Sequence, residues 1–197
     1  GRLAVVVALL GGAAALILEV SWFRTLMLIF GSSVHALSLM LAAFLLGLAG
    51  GAVLLARGAD LTADPAGRLG TTHLLIAFSA TMVTVVLQVV PALFIPLLRV
   101  SGGSFQVIAA GSLLLELVLL LAPTTLMGVA LPLAIRLAAA GREGSAAGPA
   151  GRVYAASSVG SAVGALAAGF VLVPRLGLRG AVATALRICL CAWSAIR

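Results

Sequence analysis

Residues 3–56 read LAVVVALLGGAAALILEVSWFRTLMLIFGSSVHALSLMLAAFLLGLAGGAVLLA. They form two apolar runs, 3–30 and 34–56, joined by Gly31-Ser32-Ser33, and the only charged side chains among them are Glu19 and Arg24. Each run reaches the ~20 residues that carry a helix across a ~30 Å hydrocarbon layer. Helices satisfy every backbone polar group internally, as a span in lipid must. Strands of a membrane barrel would be shorter and would alternate polar with apolar residues; these runs do not alternate. The stretch predicts two membrane-crossing helices.

The pattern repeats along the chain. Further apolar runs cover 72–98, 105–137, 153–173 and 180–197, which predicts an all-α integral membrane protein of about six transmembrane helices in one domain, 1–197. The fourth run is too long for one straight crossing, so it is expected to kink or to extend past the bilayer. Composition agrees: 63% of the 197 residues are hydrophobic, 9% are charged and the mean hydropathy is +1.29. Soluble domains are about half apolar and a quarter charged, so the excess must face lipid. The chain begins at Gly1 and stops inside an apolar run at Arg197, so it is expected to be a fragment of a longer protein.

The net charge of +7 does not point to nucleic acid, because the arginines sit singly at the ends of apolar runs. With the N-terminus inside, Arg2, Arg57, Arg68, Arg136, Arg142, Arg152, Arg187 and Arg197 fall on the cytoplasmic side. Arg24, Arg99, Arg175 and Arg179 fall outside. The majority follows the positive-inside rule, with both termini cytoplasmic; the 175–179 pair opposes it. Trp22 and Tyr154 lie near run ends, where aromatic rings favour the membrane interface.

No metal-ligand spacing, phosphate loop or nucleophile–base set occurs. His35 and His73 are isolated, and Cys189 and Cys191 lack further ligands. No cofactor and no catalysis by this chain alone are expected. The informative residues are polar groups inside apolar runs: Glu19, Arg24, His35, Gln88 and Glu116. An ionisable group at bilayer depth costs roughly 2.5–3.5 kcal/mol on insertion scales, so it needs a partner or a wet cavity. Glu19 and Arg24 are five residues apart, about 140° around a helix, and so are poorly placed to pair. Glu19 is expected to meet another helix, with His35 or Gln88 near its level. For Glu19 and Glu116 alike, a structural hydrogen bond, a cation or proton site and plain solvent exposure are the open readings. Gly47 and Gly51, and the ladder Ala156, Gly160, Gly164 and Ala168, form small-residue stripes that let helices approach closely in lipid. Pro91, Pro96, Pro123 and Pro132 permit kinks.

The segment GAAALILEVSWFRTLMLIFGSSVHALSLMLAAFLLGLAGGA resembles the start of the membrane domain of bacterial fused major-facilitator-like/spermidine synthase proteins. Two later segments are similar to the same family: LMGVALPLAIRLAAA, with Gly128, Pro132 and Arg136, and GRVYAASSVGSAVGALAAGFVLVPRLGLRG, with Tyr154, Gly160, Gly164, Pro174 and Arg179. Residues 50–70 also resemble the loop between the second and third helices of major facilitator transporters, with Gly51, Arg57, Asp60 and Arg68 in the matching roles. The resemblance implies a six-helix unit like one half of a major facilitator fold in the bacterial cytoplasmic membrane. It implies an anchor or transporter-like half, with a soluble aminopropyltransferase domain or other membrane subunits as partners beside the lipid bilayer. None of that domain's catalytic residues lies in this chain. A transporter half for a cationic solute such as a polyamine, or for another small organic solute, and an accessory subunit of a larger complex are the alternatives.

Overall fold

The computed structural model describes residues 1–31, 34–57, 64–140 and 147–197. Asp60, which the 50–70 comparison uses, and the loop with Arg142 and Glu143 lie outside the described residues. The helices are α1 (Arg2–Phe30), α2 (Val34–Arg57), α3 (Pro65–Val86), α4 (Val90–Val100), α5 (Phe105–Ala139), α6 (Ala147–Ala167) and α7 (Val173–Ile196). A five-residue π-helical segment, Ala168–Leu172, links α6 to α7. No strand occurs among the described residues.

Five helical stretches are long and apolar enough to cross a membrane, the last being Ala147–Ile196 with 50 residues. At 1.5 Å per residue that last stretch would be about 75 Å if straight. It is divided at Gly177, whose φ of 70° and ψ of 178° suit only a residue without Cβ. Counted on either side of Gly177, the described residues hold six stretches long enough to cross.

Boundaries differ from the sequence expectation in two places: the fifth run, expected over 153–173, starts at Ala147 and continues into the sixth, and the third run departs further. The third run, expected as one helix over 72–98, is two helices. Pro91 is the reason: it lacks an N–H, and its ring would meet the carbonyl four residues back, at Leu87. The chain leaves the α-helix at Leu87, turns, and resumes at Val90 as an 11-residue helix. The same run also starts earlier than its hydropathy suggests. Pro65 occupies the first helical turn, and Asp64 Oδ1 accepts from the Gly67 N–H at 2.9 Å, a side-chain cap on an orphan donor. α5, by contrast, keeps Pro123 and Pro132 inside one 35-residue helix.

Packing is organised by two glycine seams. A Cβ on Gly160 or Gly164 would strike the Leu9 or Ala13 carbonyl, and one on Gly12 would strike that of Ser157. Along this seam the numbers of α1 and α6 rise together, so the helices are parallel. The second seam joins α2 to α5: Gly47 abuts Thr124, Gly51 abuts Thr125, and Gly128 abuts Leu48. These two are parallel as well. α1 also packs on α7 and α5, α3 packs on α5, and α3 packs on α7. Exchanging α1–α2–α3 with α5–α6–α7 turns each of these pairings into another member of the same set. α1 and α5 run in opposite directions, so the two triplets are arranged as an inverted repeat.

This arrangement brings both chain ends to one end of the bundle. There Ala4, Val7, Leu69, Leu133, Ala138, Val153 and Ala192 form an apolar cluster. A larger cluster centred on Leu18, Trp22, Met40, Phe44, Ala80, Leu120 and Ala185 fills the remainder.

Candidate functional site

Small residues that let helices touch also leave space beside them. Between α1, α2, α3, α5, α6 and α7 lies a cavity of about 200 Å³, walled by residues such as Phe44, Met127, Ala130 and Cys189. Among the described residues its polar groups are His73, Ser157 and Ser161, and no acid or arginine lines it. Apart from His73 the lining residues are apolar or small, which suits an uncharged guest.

His73 is the polar feature of that wall. It is 2% exposed, and its Nδ1 lies 2.9 Å from the Leu69 carbonyl one turn back on α3. A carbonyl only accepts, so Nδ1 carries a proton, and in the neutral form of the ring Nε2 presents a lone pair. Nε2 has no partner among the described residues. It points at Gly11 of α1, where an added Cβ would lie 3.0 Å away. The glycine makes room for the ring, and the ring brings an unused acceptor to the cavity wall.

Glu116 is the second buried polar group. It is fully buried on α5, and neither carboxylate oxygen has a hydrogen-bond partner among the described residues. The α2–α5 seam, continued about two turns toward the helix starts, sets Glu116 near the level of buried Met40. It does not line the cavity.

The other sequence candidates lie apart. Glu19 is half-buried on α1. Arg24 does not turn back to it but donates from Nη2 to the Gly169 carbonyl in the π segment, at 3.3 Å. His35 is exposed and meets Phe105 edge to face, with ring centroids 5.1 Å apart. Gln88 Oε1 accepts from Arg179 Nη2 at 3.3 Å. The five residues therefore do not converge, and neither His35 nor Gln88 partners Glu19. Gly47, Gly51, Gly160 and Gly164 all sit in the seams. Trp22 departs from the interface position expected of it: the ring is fully buried in the larger cluster, because α1 is central in the bundle. Tyr154 is exposed.

Sequence reasoning passed over His73, Ser157 and Ser161. The available signal was a histidine within an apolar run and two serines on the small-residue ladder's helix. No group of three or more His, Cys, Asp or Glu side chains comes within metal-binding reach among the described residues. The chain matches no protein-family model, no curated protein and no solved structure.

Proposed function

We propose that this chain is a multi-pass membrane unit of facilitator type, one half of a transporter-like assembly whose working part is the central cavity. The observation that carries the reading is the inverted pairing of α1–α3 with α5–α7 around that cavity. Inverted repeats with a site at their interface are the recurrent plan of secondary transporters. Among the described residues the lining holds no carboxylate, which favours a small, uncharged solute over a polyamine. The arginine distribution supports cytoplasmic termini in a bacterial cytoplasmic membrane. The sequence resemblance supports a soluble aminopropyltransferase-like domain as the partner that such a unit would also anchor.

The test is solute flux. Proteoliposomes of the native protein are assayed with a panel of neutral and cationic solutes, beside a variant in which Ala130→Leu fills the cavity. The reading expects flux of a neutral solute that the filled variant loses while remaining folded. Flux that survives filling, or its absence for every solute from a complex that still holds its partner, leaves anchoring as the role.

A further inference from the structure

The face of α1 that lines the central cavity continues past it to an acid. Ala8, Gly12 and Ala15 line the cavity. At about 3.6 residues per turn, these positions and Glu19 share one side of the helix. Leu16 is the last α1 residue in the lining, so Glu19 stands one turn beyond the cavity's end. Leu16 is also the midpoint of α1, Arg2–Phe30. Glu19 is therefore about 4.5 Å past the middle of its crossing. It keeps part of its surface accessible, whereas Glu116, the other acid of a crossing helix among the described residues, keeps none.

No hydrogen bond or ion pair engages the Glu19 carboxyl among the described residues. The groups that could act as its counter-ion are committed elsewhere or stand at other levels. Arg24, on the same helix, bonds the Gly169 carbonyl. Arg179 of α7 bonds Gln88, and His35 of α2 meets Phe105. His73 of α3 faces Gly11, about 12 Å before Glu19 along α1. Cys189 of α7 lines the cavity. Arg57 and Arg136 lie in the last turns of α2 and α5, at the end of the bundle that holds the chain termini. Arg68, Arg99, Arg152, Tyr154, Arg175, Arg187 and Cys191 are exposed on their helices.

An ionised carboxylate at bilayer depth costs roughly 2.5–3.5 kcal/mol on insertion scales, and acids held there mark ion pathways and proton relays. A metal cation would need several oxygen ligands, and no group of three or more His, Cys, Asp or Glu gathers among the described residues. A proton needs one carboxyl oxygen. We propose that Glu19 is the proton-binding site of this unit and that its proton travels with the solute of the central cavity, a symport that rests on the transport role proposed for that cavity. The cavity takes the uncharged solute, and Glu19, one turn along the same face, takes the proton. The protonated acid is neutral and needs no counter-ion in the middle of the bilayer. The carboxylate forms where the bundle opens to water, and the proton leaves there. Glu116 carries the same group sealed among packed side chains and does not exchange.

Two measurements test this, and the first needs no solute. Dicyclohexylcarbodiimide reaches carboxyl groups from the apolar phase and requires the protonated acid. The acid O–H adds across one C=N bond, and the O-acylisourea rearranges to a stable N-acylurea that mass spectrometry locates. Modification of Glu19 is expected at neutral pH, falling about tenfold per pH unit once the carboxylate prevails, while Glu116 stays unmodified. In the second, proteoliposomes of the native protein enclosing a pH-sensitive dye receive each neutral solute of the flux panel. Solute entry should acidify the lumen, and an imposed pH step of about one unit should accumulate solute up to about tenfold. Glu19→Gln, a fixed neutral mimic of the loaded acid, should still exchange labelled for unlabelled solute and lose both proton effects; Glu19→Asp should retain them. Absence of the Glu19 adduct at every pH overturns the proposal, as does modification of Glu116 in its place. Lumen acidification that persists in Glu19→Gln overturns it too. Solute flux without proton movement in the native protein overturns the coupling and leaves the transport role standing. A pH-dependent Glu19 adduct with no flux of any solute overturns the transport role and leaves the proton site.

Discussion

The glycine seams and the central cavity are built from the same small residues and use them in opposite ways. At Gly160 and Gly51 the missing Cβ is replaced by another helix's backbone. At Gly11 it is replaced by the His73 ring, and at Ala130 the short side chain borders open space. Within lipid, apolar surface gains nothing by hiding from solvent, so helix association rests on close packing. The seams therefore hold the bundle, while the cavity between them sacrifices packing for room. Substitutions in the seams, at the cavity and in the packed interior test this contrast.

The largest effect belongs to the seams. Gly160→Val and Gly51→Val would each drive a branched side chain into a carbonyl, with nothing flexible to yield. A loss of about 3 kcal/mol or more is expected, seen as aggregation or loss of cooperative melting in detergent. By the inverted pairing the two variants should be comparably damaging. A well-folded Gly160→Val protein would show that the α1–α6 seam does not hold the bundle.

Glu116 is next, with the opposite sign. It is enclosed by packed side chains, with both oxygens unpartnered, and an unsatisfied buried polar group costs about 1–3 kcal/mol. Glu116→Met, of similar volume, should raise the thermal midpoint by an amount in that range. Destabilisation instead would reveal that the carboxyl group has a partner that the fold depends on. Filling the cavity comes third. Ala130→Leu adds contacts where there is space, and a gain of about 1 kcal/mol is expected from dispersion alone. A marked loss of stability would mean that the cavity wall cannot accept the added side chain.

The helical character, and helices long and apolar enough to cross a membrane, were legible from hydropathy alone, because six runs are long, sparsely charged and free of alternation. Where the helices stop was less so. Hydropathy is continuous through Leu87–Val89, and only the backbone chemistry of Pro91 divides it. Pro123 and Pro132 carry the same chemistry and leave α5 unbroken, so a proline alone does not settle the matter. The polar candidates fared differently for a related reason. Glu19, Arg24, His35, Gln88 and Glu116 stand out by residue type, but which helices meet decides whether such groups converge. Arg24 finds a carbonyl 145 residues away, and no local spacing announces that. His73 was visible as a residue and invisible as part of a cavity wall.

The smallest effect tests the comparison within five residues. Gly47, Gly50 and Gly51 stand together on α2, and sequence makes them nearly equivalent. Gly47 and Gly51 face Thr124 and Thr125 of α5, whereas a Cβ on Gly50 meets nothing within 4 Å. Gly50→Ala should therefore be neutral or stabilising, by up to about 0.5–1 kcal/mol, since alanine reduces the backbone freedom lost on folding. Gly47→Ala and Gly51→Ala should destabilise, because even one carbon meets α5 there. Melting curves of the three single-alanine variants under one detergent condition give the ranking directly. If Gly50→Ala were as harmful as Gly51→Ala, the Gly50 face would be covered by something beyond this bundle, such as a second helical unit. The distinction between seam and open face would then hold only for the isolated chain.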